Sequence, residues 1–276
     1  MSLPSAAAQD AVETLAREAG AIALDHFARV ASLPVTMKGH LDLVTEADQA
    51  VERFIVARLR QLFPEDGVLG EEGSGQDSSN GRLWVVDPID GTANFVRGND
   101  QWAVSIGLFE GGHPRFGVIH APVRGQLFRG GPGQPATLNG IALPFAQPLD
   151  PSRALIGISL HPATSVEKRL ATIRHIIGAM RLDFRTCGAS TITLMDMATG
   201  QLDGYVCDGI ASWDVMAALP ILESLGHACS LDWSRVALTD KIGFICGTEA
   251  FLQAMAPVIE HHHTLPPAGA QPSCGM

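Results

Sequence analysis

No apolar run in this 276-residue chain approaches the roughly 20 residues that cross a bilayer, so an integral membrane protein is excluded. Positive charge is also scarce. Nineteen Lys and Arg face 29 Asp and Glu, giving a net charge of −10 at pH 7 and a pI near 5.4. Partners that are nucleic acid or an anionic membrane surface are therefore not expected. The five cysteines, Cys187, Cys207, Cys229, Cys246 and Cys274, contain no Cys-x-x-Cys pair, which removes zinc-ribbon and thioredoxin readings. Most of them read as small buried apolar residues of a reduced, cytoplasmic protein. The opening MSLPSAAAQD has neither a basic flank nor an apolar core, so no secretory signal is expected. The tract His261, His262, His263 reads as solvated tail.

Apolar mass is abundant. Hydrophobic residues make up 46% of the chain and charged residues 17%, a balance that rules out disorder. The length suits one large domain or two small ones. An acidic protein that handles an anionic substrate needs local positive charge, and bound metal is the usual source.

Helical spacing of Val12, Leu15, Ala19, Ile22, Ala23 and Phe27 predicts a helix over about Ala6–Ala28. A second runs from Glu46 to Leu62, with Val51, Phe54, Ile55, Leu59 and Leu62 inward and Thr45 as N-cap. Pro64 ends it, and a Gly/Ser-rich acidic loop follows. Leu83–Val86 reads as a central strand buried on both faces. Further strands are expected at Ala103–Phe109, Phe116–His120, Gln126–Arg129, Leu155–Ser159 and Gly204–Val206. Helices are expected near Val166–Met180, Thr191–Thr199 and Val215–Leu225. There is no internal repeat, and the mixed order of strands and helices gives a layered α/β (α+β) class. Pro148–Pro151 is the candidate boundary, which makes 1–276 a single domain with two sub-halves of about 1–148 and 149–276.

The informative segment is Trp84-Val-Val-Asp-Pro-Ile-Asp-Gly-Thr-Ala-Asn-Phe95. The strand is expected to end at Asp87, where Pro88 keeps the chain out of a helix. Asp90, Gly91 and Thr92 then follow at what reads as a helix start. Two carboxylates, the Ile89 carbonyl and the Thr92 hydroxyl are thereby delivered to one point, the oxygen set that a hard cation such as Mg²⁺ wants. The backbone N–H groups of Gly91 and Thr92 would face the same point and seat a phosphate. Alone, Asp-x-x-Asp is read more simply as helix capping.

The run Asp87-Pro-Ile-Asp-Gly-Thr-Ala-Asn-Phe95 resembles the metal-binding signature of the inositol monophosphatase family of Mg²⁺-dependent, lithium-sensitive phosphatases. Leu43-Val-Thr-Glu-Ala-Asp48, Gly70-Glu-Glu72 and Ser212-Trp-Asp-Val-Met-Ala-Ala218 agree with it in order and spacing. The resemblance implies an α/β/α/β/α sandwich with the site between its halves, two or three Mg²⁺ per subunit, and a homodimer. It implies that Glu71, Asp87, the Ile89 carbonyl and the Thr92 hydroxyl hold one ion, and that Asp87, Asp90 and Asp214 hold a second. Asp48 would pair with Thr92 to orient the attacking water. A metal-bound water loses a proton far more readily than bulk water, so the implied reaction is in-line hydrolysis of a small phosphomonoester with no phosphoenzyme. Each supporting motif also has a plainer reading. Thr45 and Asp48 form a capping box, Glu71 and Glu72 are loop charges, and Trp213-Asp214 opens a helix.

By the same resemblance the alcohol lies near Gly188, Ala189 and Ser190 and near Val206–Ile210. Animal members carry a glutamate six residues before the tryptophan of the last motif, a position held here by Cys207 with Asp208 beside it. A thiol is a poor acceptor for a sugar hydroxyl, so a broad-specificity enzyme is expected. Three alternatives remain. They are a histidinol-phosphate phosphatase, a 3'-phosphoadenosine 5'-phosphate (nucleotide) phosphatase, and a regulatory relative that binds RNA polymerase.

Overall fold

The computed structural model describes residues 5–32, 35–39, 42–162 and 164–258, so the histidine tract and Cys274 lie outside the described residues. A hairpin of β1 (Val35–Gly39) and β2 (Asp42–Thr45) links α1 (Ala6–Phe27) to α2 (Glu46–Leu62). An eight-stranded sheet follows: β3 (Gly67–Gly70), β4 (Gly75–Gln76), β5 (Arg82–Asp90), β6 (Ala103–Glu110), β7 (His113–Ala121), β8 (Gln126–Gly131), β9 (Gln134–Leu138) and β10 (Ile141–Ala142). Its order is β10-β9-β8-β7-β6-β5-β3-β4. One-turn α3 (Thr92–Phe95) interrupts it after β5.

The second sheet, ordered β12-β11-β13-β15-β14, comprises β11 (Leu155–Leu160), β12 (Asp183–Arg185), β13 (Gly204–Ile210), β14 (Ala228–Cys229) and β15 (Ile242–Gly247). Its helices are α4 (Val166–Arg174), α5 (Ser190–Ala198), α6 (Ala218–Ser224) and α7 (Glu249–Ala254).

Three apolar clusters define the layers. Val12, Leu15, Ala19, Val51, Ile55 and Leu59 bind α1 and α2 to one face of the large sheet through Trp84 and Val86. Val85, between them on β5, joins the central cluster with Leu194 of α5, Ile221 of α6 and Tyr205 of β13. The outer face of the second sheet packs Val206 and Ile245 on Ile176 and Phe251. Helix, sheet, helix, sheet and helix thus stack in five layers, and the alternation along β5 feeds two of the interfaces between them.

Four local differences have clear causes. The strand expected to stop at Asp87 continues to Asp90, because a bulge absorbs Pro88. Leu62, on the last turn of α2, is 37% exposed, and Glu52 is buried on that helix instead. The helix expected over Val166–Met180 is α-helical only to Arg174 and widens to a π-turn over His175–Ala179. The helix expected from Val215 begins at Ala218, after a turn in which Met216 N–H donates to Ser212 O at 3.0 Å. Among the described residues no helix is long and apolar enough to cross a membrane.

Candidate metal centre and active site

The end of β5 is where sequence spacing becomes chemistry. On a regular strand, residues three apart point to opposite faces. Here Asp87 pairs with Ser105 and Asp90 with Ala103, so three steps on β5 match two on β6. The extra residue is a bulge, and it turns both carboxylates to the same side. Pro88 fits there because a bulged residue owes no ladder hydrogen bond. Asp87 Oδ1 accepts the Ile89 N–H at 3.0 Å and closes the turn.

Asp214 approaches from the second half, in the turn before α6, where its Oδ2 accepts the Ala211 N–H at 3.0 Å. Carboxylate oxygens of Asp87, Asp90 and Asp214 lie within 4.8 Å of one another. Glu71 arrives from the loop after β3 and shares a side-chain hydrogen bond with Asp87.

Such crowding shifts every acid. Burial, then repulsion from Glu71, Asp90 and Asp214, pushes the Asp87 carboxyl well above the carboxylate range. Asp90 is raised to about 6, chiefly by burial and against hydrogen bonds from Thr191 and Ser190. Asp214 is raised to about 7 by burial and by Asp90. Asp214 keeps some solvent exposure, yet enough protein surrounds its carboxyl for burial to dominate. Burial and mutual repulsion thus oppose the ionised form of these acids, and nearby positive charge would favour it.

Asp48 makes both contacts foreseen for it, to Thr45 and to Thr92. Its Oδ2 accepts the Thr45 N–H at 2.8 Å and the Thr45 hydroxyl at 2.6 Å, capping α2. Its Oδ1 accepts the Thr92 hydroxyl at 3.1 Å, a hydroxyl that also lies 3.1 Å from the Ile89 carbonyl. Capping box and site therefore share one side chain.

Gly91 adopts φ +92°, and a Cβ there would come within 2.7 Å of Gln101 O and 2.9 Å of the Ala189 Cβ. Only glycine permits this approach of the two halves. Asn94 holds it together, its Nδ2 donating to both Gln101 O and Cys187 O at 2.8 Å. Gly188, Ala189 and Ser190 are thus brought beside Gly91. Ser190 N–H donates to Asp90 Oδ1 at 3.3 Å, and Ser190 Oγ accepts the Tyr205 hydroxyl at 3.0 Å.

Cys207 and Asp208 are a correction to the expected substrate contacts. Both are fully buried on β13. Cys207 faces the central cluster, its Sγ toward Phe244 O. Asp208, one residue on, points to the opposite face and pairs with Lys168 Nζ of α4 at 2.8 Å. Neither side chain offers surface to a ligand.

Two residues at the site had not been singled out from the sequence. Thr191 donates its N–H and its hydroxyl to Asp90 Oδ2. Glu52, buried on α2, accepts the N–H groups of Glu72 and Ser74. Glu52 was detectable as an acid one turn beyond Asp48, on the apolar face with Val51 and Ile55, since a buried acid must find donors. Thr191 carried no signal, because its partner Asp90 lies on β5, 101 residues away.

A model of the inositol monophosphatase family matches residues 6–263. The chain is 33% identical over 231 residues to a protein of Xylella fastidiosa named Nus factor SuhB, covering 83% of each. It is 32% identical over 189 residues to an inositol-1-monophosphatase of Bacillus subtilis, covering 67% of this chain and 71% of the relative. The crystal structure of the extragenic suppressor protein suhB from Bartonella henselae superposes with a TM-score of 0.83 at 26% identity, covering 92% of this chain and 99% of the other.

Proposed function

Because the chain belongs to the inositol monophosphatase family, we propose that it is a Mg²⁺-dependent phosphomonoesterase acting on inositol monophosphate and similar small polyol or sugar phosphates. The observation that carries this reading is the convergence of Asp87, Asp90 and Asp214 within 4.8 Å, with Glu71 bonded to Asp87. An all-oxygen set of acids whose burial and mutual repulsion oppose ionisation fits a hard divalent cation. Glu71, Asp87, the Ile89 carbonyl and the Thr92 hydroxyl would hold one ion, and Asp87, Asp90 and Asp214 another, with two or three per subunit. When bound, Mg²⁺ supplies Lewis acidity toward water and the phosphoryl oxygens.

The chain's own groups supply orientation. Asp48 accepts the Thr92 hydroxyl, and the pair positions the attacking water. The N–H groups of Gly91 and Thr92 seat the phosphate, and Gly188–Ser190 flank the alcohol. Water attacks in line, the P–O bond to the alcohol breaks, and no phosphoenzyme forms. The test is phosphate release from a panel of monoesters with Mg²⁺ and after its removal by a chelator. Cation-independent release, or none from any ester, contradicts the reading. Inhibition by millimolar Li⁺ belongs to the same reading and is checked in the same assay.

We also take the chain as one cytoplasmic domain of two sub-halves that forms a homodimer. The central cluster, shared by residues from Val85 to Cys246, supports the single domain. Sedimentation at one chain mass would contradict the dimer.

The name Nus factor SuhB on a bacterial relative favours a second reading, a regulatory protein that binds RNA polymerase. That name runs against the expectation of no nucleic acid as partner, although a net charge of −10 weighs against direct RNA contact. Capture of RNA polymerase by a phosphatase-dead Asp90→Asn protein supports a regulatory role. Absence of capture by the wild type removes it.

A further inference from the structure

Glu52 lies on the inward face of α2, 1% exposed, and never reaches the cluster of aspartates itself. Its carboxylate is spent on the loop after β3. Oε2 accepts the Glu72 N–H at 2.7 Å and Oε1 accepts the Ser74 N–H at 3.0 Å. The loop closes around it, with Gly70 N–H donating to Ser74 O at 2.8 Å and Gly73 N–H to Gly70 O at 3.3 Å. Gly70 must be glycine for this, since a Cβ there would sit 2.5 Å from the Glu52 carboxyl carbon. Glu71 is held between these anchors, its own N–H donating to Val86 O of β5 at 3.2 Å. Its carboxyl then meets that of Asp87.

We propose that Glu52 is a positioning residue for the cation site, clamping the Gly70–Ser74 turn through two backbone amides so that Glu71 is presented to Asp87. This rests on the phosphatase reading of the same site. Groups that orient a ligand from behind typically contribute 10- to 100-fold to metal affinity or activity. An amide in place of the carboxylate has one acceptor, so it serves one loop N–H and turns an NH₂ toward the other.

The test is Glu52→Gln beside the wild type and Asp90→Asn, with Mn²⁺ binding followed by calorimetry and phosphate release titrated with Mg²⁺. Glu52→Gln is expected to weaken Mn²⁺ binding and raise half-saturating Mg²⁺ by about 10- to 100-fold. The substrate KM at saturating Mg²⁺ should stay within about threefold of wild type, since the residue touches no substrate. Wild-type cation affinity in a folded Glu52→Gln overturns the proposal and leaves Glu52 a purely structural residue. Failure of the phosphatase reading looks different, because the wild type itself then shows neither Mn²⁺ binding nor Mg²⁺-dependent release. If Glu52→Gln does not fold, hydrogen exchange on the cation-free wild type decides. Slow exchange at Glu72 and Ser74 supports a clamp formed before the cation binds, and rapid exchange there overturns it.

Discussion

Thr191 gives Asp90 Oδ2 both its backbone N–H, at 2.7 Å, and its side-chain hydroxyl, across 101 residues of chain. The first turn of α5 is thereby anchored on a carboxylate of β5, where a helix N-terminus favours negative charge. One oxygen of Asp90 is committed to the second half of the molecule, and Oδ1, nearer the Ser190 N–H at 3.3 Å, is held more loosely.

Thr191→Val keeps the branched shape and deletes the hydroxyl. The lost hydrogen bond had opposed the upward shift of Asp90, so its carboxyl should titrate higher still. Half-saturating Mg²⁺ at pH 6.5 should rise by about tenfold, with Thr191→Ser close to wild type. Equal Mg²⁺ dependence in all three proteins would show that the contact is incidental.

The acids also set how stability depends on pH. Asp90 at about 6 and Asp214 at about 7 hold protons in the folded state that the unfolded chain releases near 3.8. Their raised values make the cation-free protein lose stability as pH rises from about 4 to 7. Cation binding requires the ionised acids, so the gain in melting temperature on adding Mg²⁺ should be larger at pH 8 than at pH 5. Thermal melts with Mg²⁺ and with chelator at both values measure this. An equal gain at both would contradict it.

The sequence exposed these acids but not their arrangement. Asp87 and Asp90 were legible as a pair from the Asp-Pro-Ile-Asp spacing, and α2 was legible from Glu46 to Leu62 because its period and its Thr45 cap agree. The bulge that brings the pair to one face was not, since a bulge is defined only against the partner strand β6. Short pieces such as β12 and β14 were missed for a similar reason. Two or three residues carry no period of their own and become strands through their neighbours. The substrate contacts at Cys207 and Asp208 failed because family alignment fixes a position, whereas strand alternation and the Lys168 pairing decide where a side chain goes.

His227 responds to pH in the opposite sense. Burial lowers its pKa to about 4, and its Nδ1 has no hydrogen-bond partner among the described residues. Between about pH 6.5 and 4 the unfolded chain takes up a proton that the folded one refuses, so this residue's share of stability is lost as pH falls through that window. The full difference is on the order of 3 kcal/mol. His227→Leu should remove that part of the slope. Denaturant melts of both proteins at pH 7 and pH 4.5 test it, and parallel losses in the two would contradict the assignment.

Specificity should be broad. With Cys207 and Asp208 both fully buried, that position supplies no hydroxyl contact of the kind that separates substrates strongly. Comparing kcat/KM for inositol 1-phosphate, glycerol 2-phosphate and histidinol phosphate checks this. A preference for inositol 1-phosphate above about a thousandfold would require polar contacts from elsewhere.

The measurement closest to the central claim is steady-state phosphate release by Asp90→Asn at saturating Mg²⁺. Asparagine preserves the shape at the end of β5 and removes one negative charge from the group gathered within 4.8 Å. Turnover should fall by about 10²-fold or more, the size of loss seen when one key electrostatic group is removed. Unchanged secondary structure would tie that fall to the site. Turnover near that of the wild type would mean that Asp87, Asp90 and Asp214 do not form the cation site.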